Sequence, residues 1–444
     1  MGVMVASTEA VDDTWRRFRA GMRNRSYLAL LMSVLAVASM LMYVEKILVP
    51  YQQADALAKQ MPRGNLSDLY PRWLGAKELL LSGKDPYSNA VKTQIQAGYY
   101  GRPLDAHRPN DPKDQQAFAY PVYVVFLLAP TVKFPFEWVR SAAVWLFVAL
   151  TAASVLLWLR ALGWKIAWKF KLVWIVLTLG SFPAIQGLKL QQLTLLVAAL
   201  LAGAMSAMAG EHLFLAGVLL ALATIKPHLA VILAVVLSVW TLGNLRERQK
   251  FLWGFGFALF ILIAGGEILL PGWISKFRVA TEEYWRYTGG GQSVLSIEIG
   301  STWGRVASGI LIVLLLYFAW RLRRIAIPSV EFGWLLAVTI ATTLMVIPMY
   351  APYNRLLLLP ALMMILRALP KLREAGIVAR VLVMLTGLSV LWPWIAAVAL
   401  LLGLLILPAS AVENLWAVPL WTNFAIPTVI LGLLLVCRKS IMEA

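Results

Sequence analysis

The sequence has little charge, one cysteine and three histidines, and each scarcity narrows the class of protein. Charged residues make up 14% of the 444 residues, whereas soluble domains contain about 25%, so the composition argues against a soluble protein. The single Cys437 excludes an internal disulfide. The histidines are too scattered for a metal-ligand set, and no glycine-rich phosphate loop is present.

Apolar residues are what the chain has in abundance. They make up 60% of the sequence, and the mean hydropathy is +0.74. They form repeated runs of roughly twenty residues, the length of a transmembrane helix. The net charge of +18 comes from short Lys and Arg clusters between these runs, a pattern that fixes membrane topology and gives no indication of a nucleic-acid partner. The sequence therefore predicts an all-α polytopic membrane protein.

The basic clusters also predict which loops face the cytoplasm. The N-terminal segment 1–26 is basic, and positively charged loops stay on the cytoplasmic side. If every cluster is cytoplasmic, each stretch between two clusters must cross the membrane an even number of times. We therefore predict about twelve spans, and a short helix at 119–134 that dips into the outer leaflet. The predicted spans are 27–50, 139–159, 172–187, 191–209, 213–225, 229–244, 251–270, 303–320, 330–348, 353–368, 378–400 and 418–436.

This topology divides the chain into six parts. The parts are a cytoplasmic N-terminus at 1–26, a first span at 27–50, an extracytoplasmic loop with juxtamembrane helices at 51–138, a transmembrane core at 139–270, a second extracytoplasmic loop at 271–302 and C-terminal spans at 303–444. All long connections fall on the extracytoplasmic side, where we expect the chemistry to occur.

The start of the first loop carries the most informative pattern, DLYPRWLGAKELLLSGKDPY from Asp68 to Tyr87. Gly83 ends a predicted helix there, and a turn at Asp85–Tyr87 follows. The apolar face of this helix would consist of Leu69, Trp73, Ala76 and Leu80, which follow helical spacing. We therefore expect an amphipathic helix on the membrane surface. Asp68 precedes it, either as a simple N-cap or as a general base at the membrane boundary.

Several cations are candidates to bind an anionic group such as phosphate. Arg72 and Lys77 lie on the predicted helix. Lys226 and Arg355 lie next to apolar runs, where a charge is costly and often functional. The alternative for each is an ordinary interfacial cation or a kinked helix end that reaches water.

Two further polar or aromatic stretches have open interpretations. Gln191 and Gln192 could form a hydrogen-bonded pair between helices. The aromatic stretch Tyr284–Tyr287 precedes Gly289–Gly291. It is either a mobile lid that stacks on a sugar or part of an interfacial aromatic belt.

In order along the chain, these motifs resemble glycosyltransferase family 87, within the polytopic GT-C group. The resemblance covers about residues 27–370. The similar elements are Asp68 with Trp73, Gly75-Ala76, Leu80, Gly83 and Asp85-Pro86-Tyr87; Phe118-Ala119-Tyr120-Pro121; Gln192; Ala216-Gly217 with Lys226-Pro227; and Tyr353-Asn354. The sequence departs from the family pattern at Gln191 in place of Gly, Thr194 in place of Asn and Asn354 in place of Asp. It also lacks a nearby His.

The resemblance implies a GT-C helix bundle and an inverting glycosyltransferase in which Asp68 is the catalytic carboxylate. The donor would be a polyprenyl-phosphate sugar, with mannose as the first expectation and arabinofuranose as an alternative. The acceptor would be a glycolipid or glycan. The phosphate and lipid would contact Lys226, His228, Arg355, Arg72 and Lys77. The sugars would contact Trp73, Asp85, Tyr87, Tyr120, Gln192, Trp285, Tyr350 and Asn354.

The resemblance also implies a multi-pass protein of the bacterial inner membrane, with its active site on the extracytoplasmic side. Its partners would be membrane lipids and the two substrates, with no required cofactor or metal; no oligomeric state is indicated. Two other classes remain alternatives. A transporter or flippase of lipid-linked sugars would need internal repeats, and we find none. A non-catalytic membrane scaffold would not need Asp68 and the cations on one side.

Overall fold

The chain folds into helices joined by loops in the computed structural model, which describes residues 26–61, 63–105, 107–287, 291–348 and 350–443. The helices are α1 Ser26–Ala58, α2 Tyr70–Ser82, α3 Asn89–Tyr100, α4 Val124–Leu128, α5 Phe136–Ala161, α6 Trp168–Leu179, α7 Phe182–Lys189, α8 Thr194–Ala209, α9 Leu213–Ala223, α10 Pro227–Leu242, α11 Leu245–Leu269, α12 Trp273–Tyr287, α13 Val294–Ile299, α14 Ser301–Arg321, α15 Val330–Val346, α16 Leu359–Arg367, α17 Leu369–Glu374, α18 Ile377–Gly403, α19 Ala409–Glu413, α20 Ala425–Val436 and α21 Arg438–Met442. Short 3₁₀ helices occupy Ala129–Thr131, Pro352–Leu358 and Val418–Leu420. The described residues contain no strand, which confirms the all-α class.

Six helical stretches in the described residues are long and apolar enough to cross a membrane. They are α1, α5, α11, α14, α18 and the stretch Ala409–Val436 that contains α19 and α20. A seventh forms if α6 and α7, which are bent by 56°, count as one span. Since a span needs about 20 residues, these helices indicate a polytopic membrane protein. Each coincides with one of the predicted spans.

The predicted number of twelve spans is not confirmed. The remaining apolar runs form shorter helices of 10–17 residues, among them α8, α9, α10 and α15. In α15 every residue from Phe332 to Met345 is buried inside the protein. A helix enclosed by protein is apolar all round, as a lipid-facing span is. Hydropathy therefore cannot separate these two kinds of helix, and the number of spans stays a prediction.

Helix α2 has the boundaries that the sequence predicts. Pro71 lies in its first turn, where the missing N–H costs no hydrogen bond. Gly83 ends it in the left-handed conformation with φ of 64°. The Asp85 carboxylate then accepts a hydrogen bond of 2.9 Å from the Tyr87 N–H, which forms the predicted turn. The N-cap residue is Leu69, so the carboxylate of Asp68 does not cap this helix.

The surroundings of α2 differ from the predicted amphipathic surface helix. Its buried residues are Pro71, Arg72, Trp73, Leu74, Gly75, Ala76 and Leu79. They are distributed around the helix axis, whereas an amphipathic helix would bury one stripe. Gly75 lies so close to Phe118 that a Cβ there would be 2.3 Å from the ring. The first half of α2 is therefore enclosed by the first loop and the bundle, because loop residues cover the face that was expected to meet water.

The first loop and the bundle share one hydrophobic core. Trp73 of α2 and Ile95 of α3 belong to the same buried cluster as Leu195 of α8 and Trp334 of α15. A second cluster joins α1 to α18, for example through Ile47 and Ala397. The loop helices are thus fixed against the bundle, and this packing positions the polar groups described below.

Two pairs of basic clusters that are far apart in sequence contact each other in the fold. Arg248 donates hydrogen bonds of 2.7 and 2.8 Å to the main-chain oxygens of Arg323 and Ile325. Arg367 donates one of 3.1 Å to the main-chain oxygen of Leu162. Loops that contact each other lie on the same side of a membrane, so the two clusters of each pair share one side, as the topology predicts.

Candidate active site

A cavity of about 880 Å³ opens between the first loop, the bundle and α12. Its walls come from parts of the chain that are far apart in sequence. The predicted site residues that line it are Asp68, Arg72, Tyr120, Gln192, Lys226, His228, Trp285, Tyr350 and Asn354. The fold thus brings most of the predicted residues to one place. Their individual roles stay predictions.

Asp68 lies at the loop end that precedes α2. Its main-chain N–H donates a hydrogen bond of 2.9 Å to the main-chain oxygen of Leu190. Its main-chain oxygen accepts a hydrogen bond of 2.8 Å from the Arg72 guanidinium. One carboxylate oxygen accepts a hydrogen bond of 3.2 Å from the Tyr99 hydroxyl. The other accepts one from the side-chain amide of Gln192. Both carboxylate contacts come from neutral groups, and within the described residues Asp68 forms no salt bridge.

Gln192 ends the turn that links α7 to α8. The turn closes with a hydrogen bond of 2.8 Å from the Gln192 N–H to the Gly187 oxygen, and Gln191 takes a positive φ of 49°. The Gln192 side-chain oxygen accepts a hydrogen bond of 2.7 Å from the Lys226 ammonium. An ammonium only donates hydrogen bonds, so the amide nitrogen must face Asp68. One side chain therefore connects the Asp68 carboxylate to the Lys226 ammonium.

Lys226 is a buried cation at the start of α10. It is 5% exposed, and its ammonium also donates a hydrogen bond of 2.7 Å to the Thr194 hydroxyl. Thr194 lies 3.3 Å from the side-chain oxygen of Asn354. Thr194 and Asn354, where the sequence departs from the resembled family pattern, are thus in contact with each other. Lys226 links both to Asp68 through Gln192.

Arg72 is the second buried cation of the cavity. Its guanidinium lies 4.3 Å from the centre of the Tyr120 ring, and the Lys226 ammonium lies 5.8 Å from the centre of the same ring. The Arg72 Nε has no hydrogen-bond partner among the described residues. No salt bridge in the described part of the chain neutralises either cation. A cavity with two such charges favours an anionic ligand.

Sequence reasoning did not select Asp114 and Gln116, which also line the cavity. The Asp114 carboxylate accepts hydrogen bonds of 3.1 and 3.0 Å from the main-chain and side-chain nitrogens of Gln116. Burial raises the pKa of the Asp114 carboxyl, the Gln116 main-chain hydrogen bond opposes this, and the charge of Asp68 adds to the rise. The only sequence signal was a polar run just before the motif at Phe118–Pro121.

Helix α12 covers one side of the cavity through residues that include Tyr284 and Trp285. It is tied to the first loop by a salt bridge of 2.8 Å between Lys276 and Asp85. The predicted sugar-stacking lid includes this aromatic stretch. Residues 288–290, which include Gly289 and Gly290 of the glycine run behind it, lie outside the described residues, and the lid stays a prediction.

The other predicted site residues lie away from the cavity lining. Trp73 is 4% exposed and packs on Phe136, and its indole N–H donates to the Thr131 oxygen. The Lys77 ammonium lies 5.1 Å from the centre of the Trp73 ring. Neither lines the cavity in the structure, and their contact with a ligand stays a prediction.

Asp85, Tyr87 and Arg355 are also behind the wall. Asp85 pairs with Lys276, as described above. The Tyr87 hydroxyl donates a hydrogen bond of 2.6 Å to the Tyr120 main-chain oxygen and so supports a wall residue. The Arg355 guanidinium is 6% exposed and donates one hydrogen bond, of 3.3 Å, to the Pro352 oxygen. These residues can shape the cavity without lining it.

No metal site is evident in the part of the chain that the structure describes. Groups of three or more His, Cys, Asp or Glu side chains that could hold a metal do not occur there. The chemistry that the lining residues themselves offer is a carboxylate for proton transfer and two cations for an anion.

Comparison with known proteins identifies the family. A model of glycosyltransferase family 87 matches residues 118–348, more than half of the 444-residue chain. No curated protein sequence and no solved structure matches the chain. The matched range contains Tyr120, Gln192 and Lys226 of the cavity wall, whereas Asp68 precedes it. The chain belongs to glycosyltransferase family 87.

Proposed function

We propose that the protein moves a sugar from a polyprenyl-phosphate donor to a hydroxyl group of a glycolipid or glycan acceptor. One observation carries the proposal. Asp68, whose carboxylate has only neutral hydrogen-bond donors among the described residues, shares a cavity with Arg72 and Lys226, two buried cations that form no salt bridge there. These are the two functions that transfer from a phosphate needs, a base for the acceptor and positive charge for the leaving group.

Asp68 acts as the general base in this proposal. A carboxylate can accept about four hydrogen bonds, and Asp68 uses two on Tyr99 and Gln192. A remaining lone pair takes the proton of the acceptor hydroxyl as its oxygen bonds to the anomeric carbon. The bond from that carbon to the donor phosphate breaks, and polyprenyl phosphate leaves with both bonding electrons. A single displacement of this kind inverts the anomeric configuration.

Lys226 and Arg72 interact with the departing phosphate, with His228 near them on the wall. The cations gain most from contact with the phosphate when its charge increases in the transition state. Trp285, Tyr120, Tyr350 and Asn354 contact the sugars. Trp73, Asp85, Tyr87, Lys77 and Arg355 have no ligand contact in this proposal, because they do not line the cavity. The donor phosphate stays on the lipid as a monoester, so the reaction requires no metal or cofactor.

The lipid donor and the membrane helices place the reaction at a bilayer surface. In the proposal the bundle is of the GT-C type with about twelve spans, some of them short helices enclosed by others. The protein resides in the bacterial inner membrane and the cavity opens to the extracytoplasmic side. Mannose is the proposed sugar, and arabinofuranose from the same donor class is the alternative. Contact between the basic clusters supports the orientation.

A donor panel tests the proposal. Purified protein in lipid nanodiscs, supplied with an extract of bacterial glycolipids, receives radiolabelled polyprenyl-phosphate mannose, arabinofuranose or glucose. We expect radiolabelled sugar to appear in the glycolipid acceptors with one of the three donors. If the protein in liposomes moves the donor across the bilayer and transfers no sugar, it is a transporter instead. Neither transfer nor movement of any of the three donors would indicate a scaffold.

A further inference from the structure

Asp114 and Asp68 are held by neighbouring residues of one helix. The Tyr99 hydroxyl of α3 bonds to the Asp68 carboxylate, and the Tyr100 hydroxyl donates a hydrogen bond of 2.5 Å to the Asp114 main-chain oxygen. The two tyrosine rings pack edge to face with their centres 4.8 Å apart. The two aspartates therefore belong to one wall of the cavity, which both line.

The loop that carries Asp114 is fixed rather than free. Gln96 of α3 donates a hydrogen bond of 2.8 Å to the Gln115 main-chain oxygen, and Lys92 donates one of 2.6 Å to the Gln115 side chain. Gln116 takes a positive φ of 44°, which is unusual for a residue with a side chain. Such backbone conformations persist where the surroundings impose them, and they concentrate at functional sites.

The Asp114 carboxylate keeps capacity for a ligand. Gln116 supplies one hydrogen bond to each of its oxygens, which leaves about two of the four acceptor sites of a carboxylate unused. Within the described residues no Lys, Arg or His forms a salt bridge with it. A carboxylate of this kind accepts strong hydrogen bonds from hydroxyl groups.

The acidic and cationic side chains meet at Asp68. The Arg72 guanidinium donates to the Asp68 main-chain oxygen, and the Lys226 ammonium is linked to the Asp68 carboxylate through Gln192. Asp114 lies on the other side of Asp68, at the α3 tyrosines. A sugar bound at Asp114 would therefore lie beside Asp68, with the two cations beyond it.

We propose that Asp114 is an acceptor-binding residue that recognises the hydroxyl groups of a sugar. The unused acceptor sites of its carboxylate bind hydroxyl groups of the acceptor beside the one that Asp68 deprotonates. This inference rests on the proposed transferase function and adds the residue that binds the acceptor sugar.

Steady-state kinetics of Asp114→Asn in nanodiscs test the proposal. We expect the acceptor KM to rise about tenfold or more, the loss typical of one charge-assisted hydrogen bond, while the donor KM and kcat change less than about threefold. Asp105→Asn is the matched control. Asp105 belongs to the same loop, is half exposed, accepts a hydrogen bond from the His107 N–H and does not line the cavity. An unchanged acceptor KM in Asp114→Asn, or a loss confined to kcat, overturns the proposal.

A binding measurement tests the role of Asp114 without requiring sugar transfer to occur. Saturation-transfer NMR detects methyl α-mannopyranoside on the wild-type protein, on Asp114→Asn and on Asp114→Ala. We expect the wild type to bind this glycoside and both variants to lose it. No binding by the wild type, or wild-type binding in the variants, contradicts the proposal. If no donor supports transfer, the proposed function fails, and this measurement still decides whether Asp114 binds sugar.

Discussion

The side-chain amide of Gln192 donates a hydrogen bond to the carboxylate of Asp68 across 124 residues of sequence. Its orientation is fixed, because the amide oxygen accepts a hydrogen bond from the Lys226 ammonium, which has no acceptor of its own. The carboxylate therefore has one defined position relative to the buried cation. We assign to Gln192 the role of positioning Asp68, in addition to any contact with the sugar.

Gln192→Ala removes the hydrogen bonds to both Asp68 and Lys226 and leaves the two charges in place. Because the loss of even one hydrogen bond to a charged group typically costs roughly 10- to 100-fold, kcat should fall by at least that factor. Gln191→Ala is the control, because the Gln191 amide bonds only to main-chain oxygens of its own turn. Similar kcat values for the two variants would show that the hydrogen bonds of Gln192 to Asp68 and Lys226 do not contribute to turnover. Single-turnover transfer assays provide the measurement.

Lys226→Met should weaken donor binding about tenfold or more, because it removes a buried positive charge at the phosphate. Lys77→Met is its matched control. Lys77 is half-buried against Trp73 outside the cavity, and its loss should leave donor binding unchanged. The donor KM and the melting temperature of each variant are measured together. A Lys226→Met protein with the wild-type donor KM would refute the assignment of Lys226 to the phosphate.

Gly75→Ala should destabilise the first loop by about 1–3 kcal/mol, the usual cost of overpacking a core. The added Cβ would be 2.3 Å from the Phe118 ring, which is 1% exposed and packs against Tyr87. Gly256→Ala in α11 has open space around its Cβ and should not destabilise the protein. Thermal unfolding in detergent gives the melting temperatures of the two variants. Equal melting temperatures would show that α2 does not pack as tightly as described.

Cysteine labelling tests the orientation in the membrane. In a Cys437→Ser background, an impermeant maleimide should label Asn110→Cys in intact cells and Gln249→Cys only after permeabilisation. Asn110 is exposed in the first loop, and Gln249 is exposed beside the basic cluster at the start of α11. The reverse pattern would invert the predicted topology.

Local patterns in the sequence predicted the local structure well. Pro71 and Gly83 mark the ends of α2 because their conformational limits act within a turn. The identity of the inward face was harder to predict. Arg72 and Lys77 are five positions apart, about 140° around a helix, so only one of them can face the cavity. Packing of α2 against the bundle decides which of the two faces the cavity. The residues around Arg72 and Lys77 in the sequence do not reveal this packing.

The contacts within the site could not be predicted because they are long-range. Thr194 and Asn354 lie 160 positions apart, and Gln192 and Lys226 are 34 apart. In sequence, each of these residues lies in a short polar turn between apolar runs. Asp114 has no motif around it, and its position at the cavity follows from the hydrogen bonds that fix its loop to α3. Tertiary packing determined these relationships.

Turnover of Asp68→Asn shows whether the Asp68 carboxylate is the general base. Asparagine has the size of aspartate, and its amide can preserve both side-chain contacts, since the Tyr99 hydroxyl can accept a hydrogen bond as well as donate one. Melting temperature and donor binding should therefore match the wild type. We expect transfer to fall by about 10²–10⁴, the usual contribution of a general base. Wild-type turnover in a folded, donor-binding Asp68→Asn protein would contradict it.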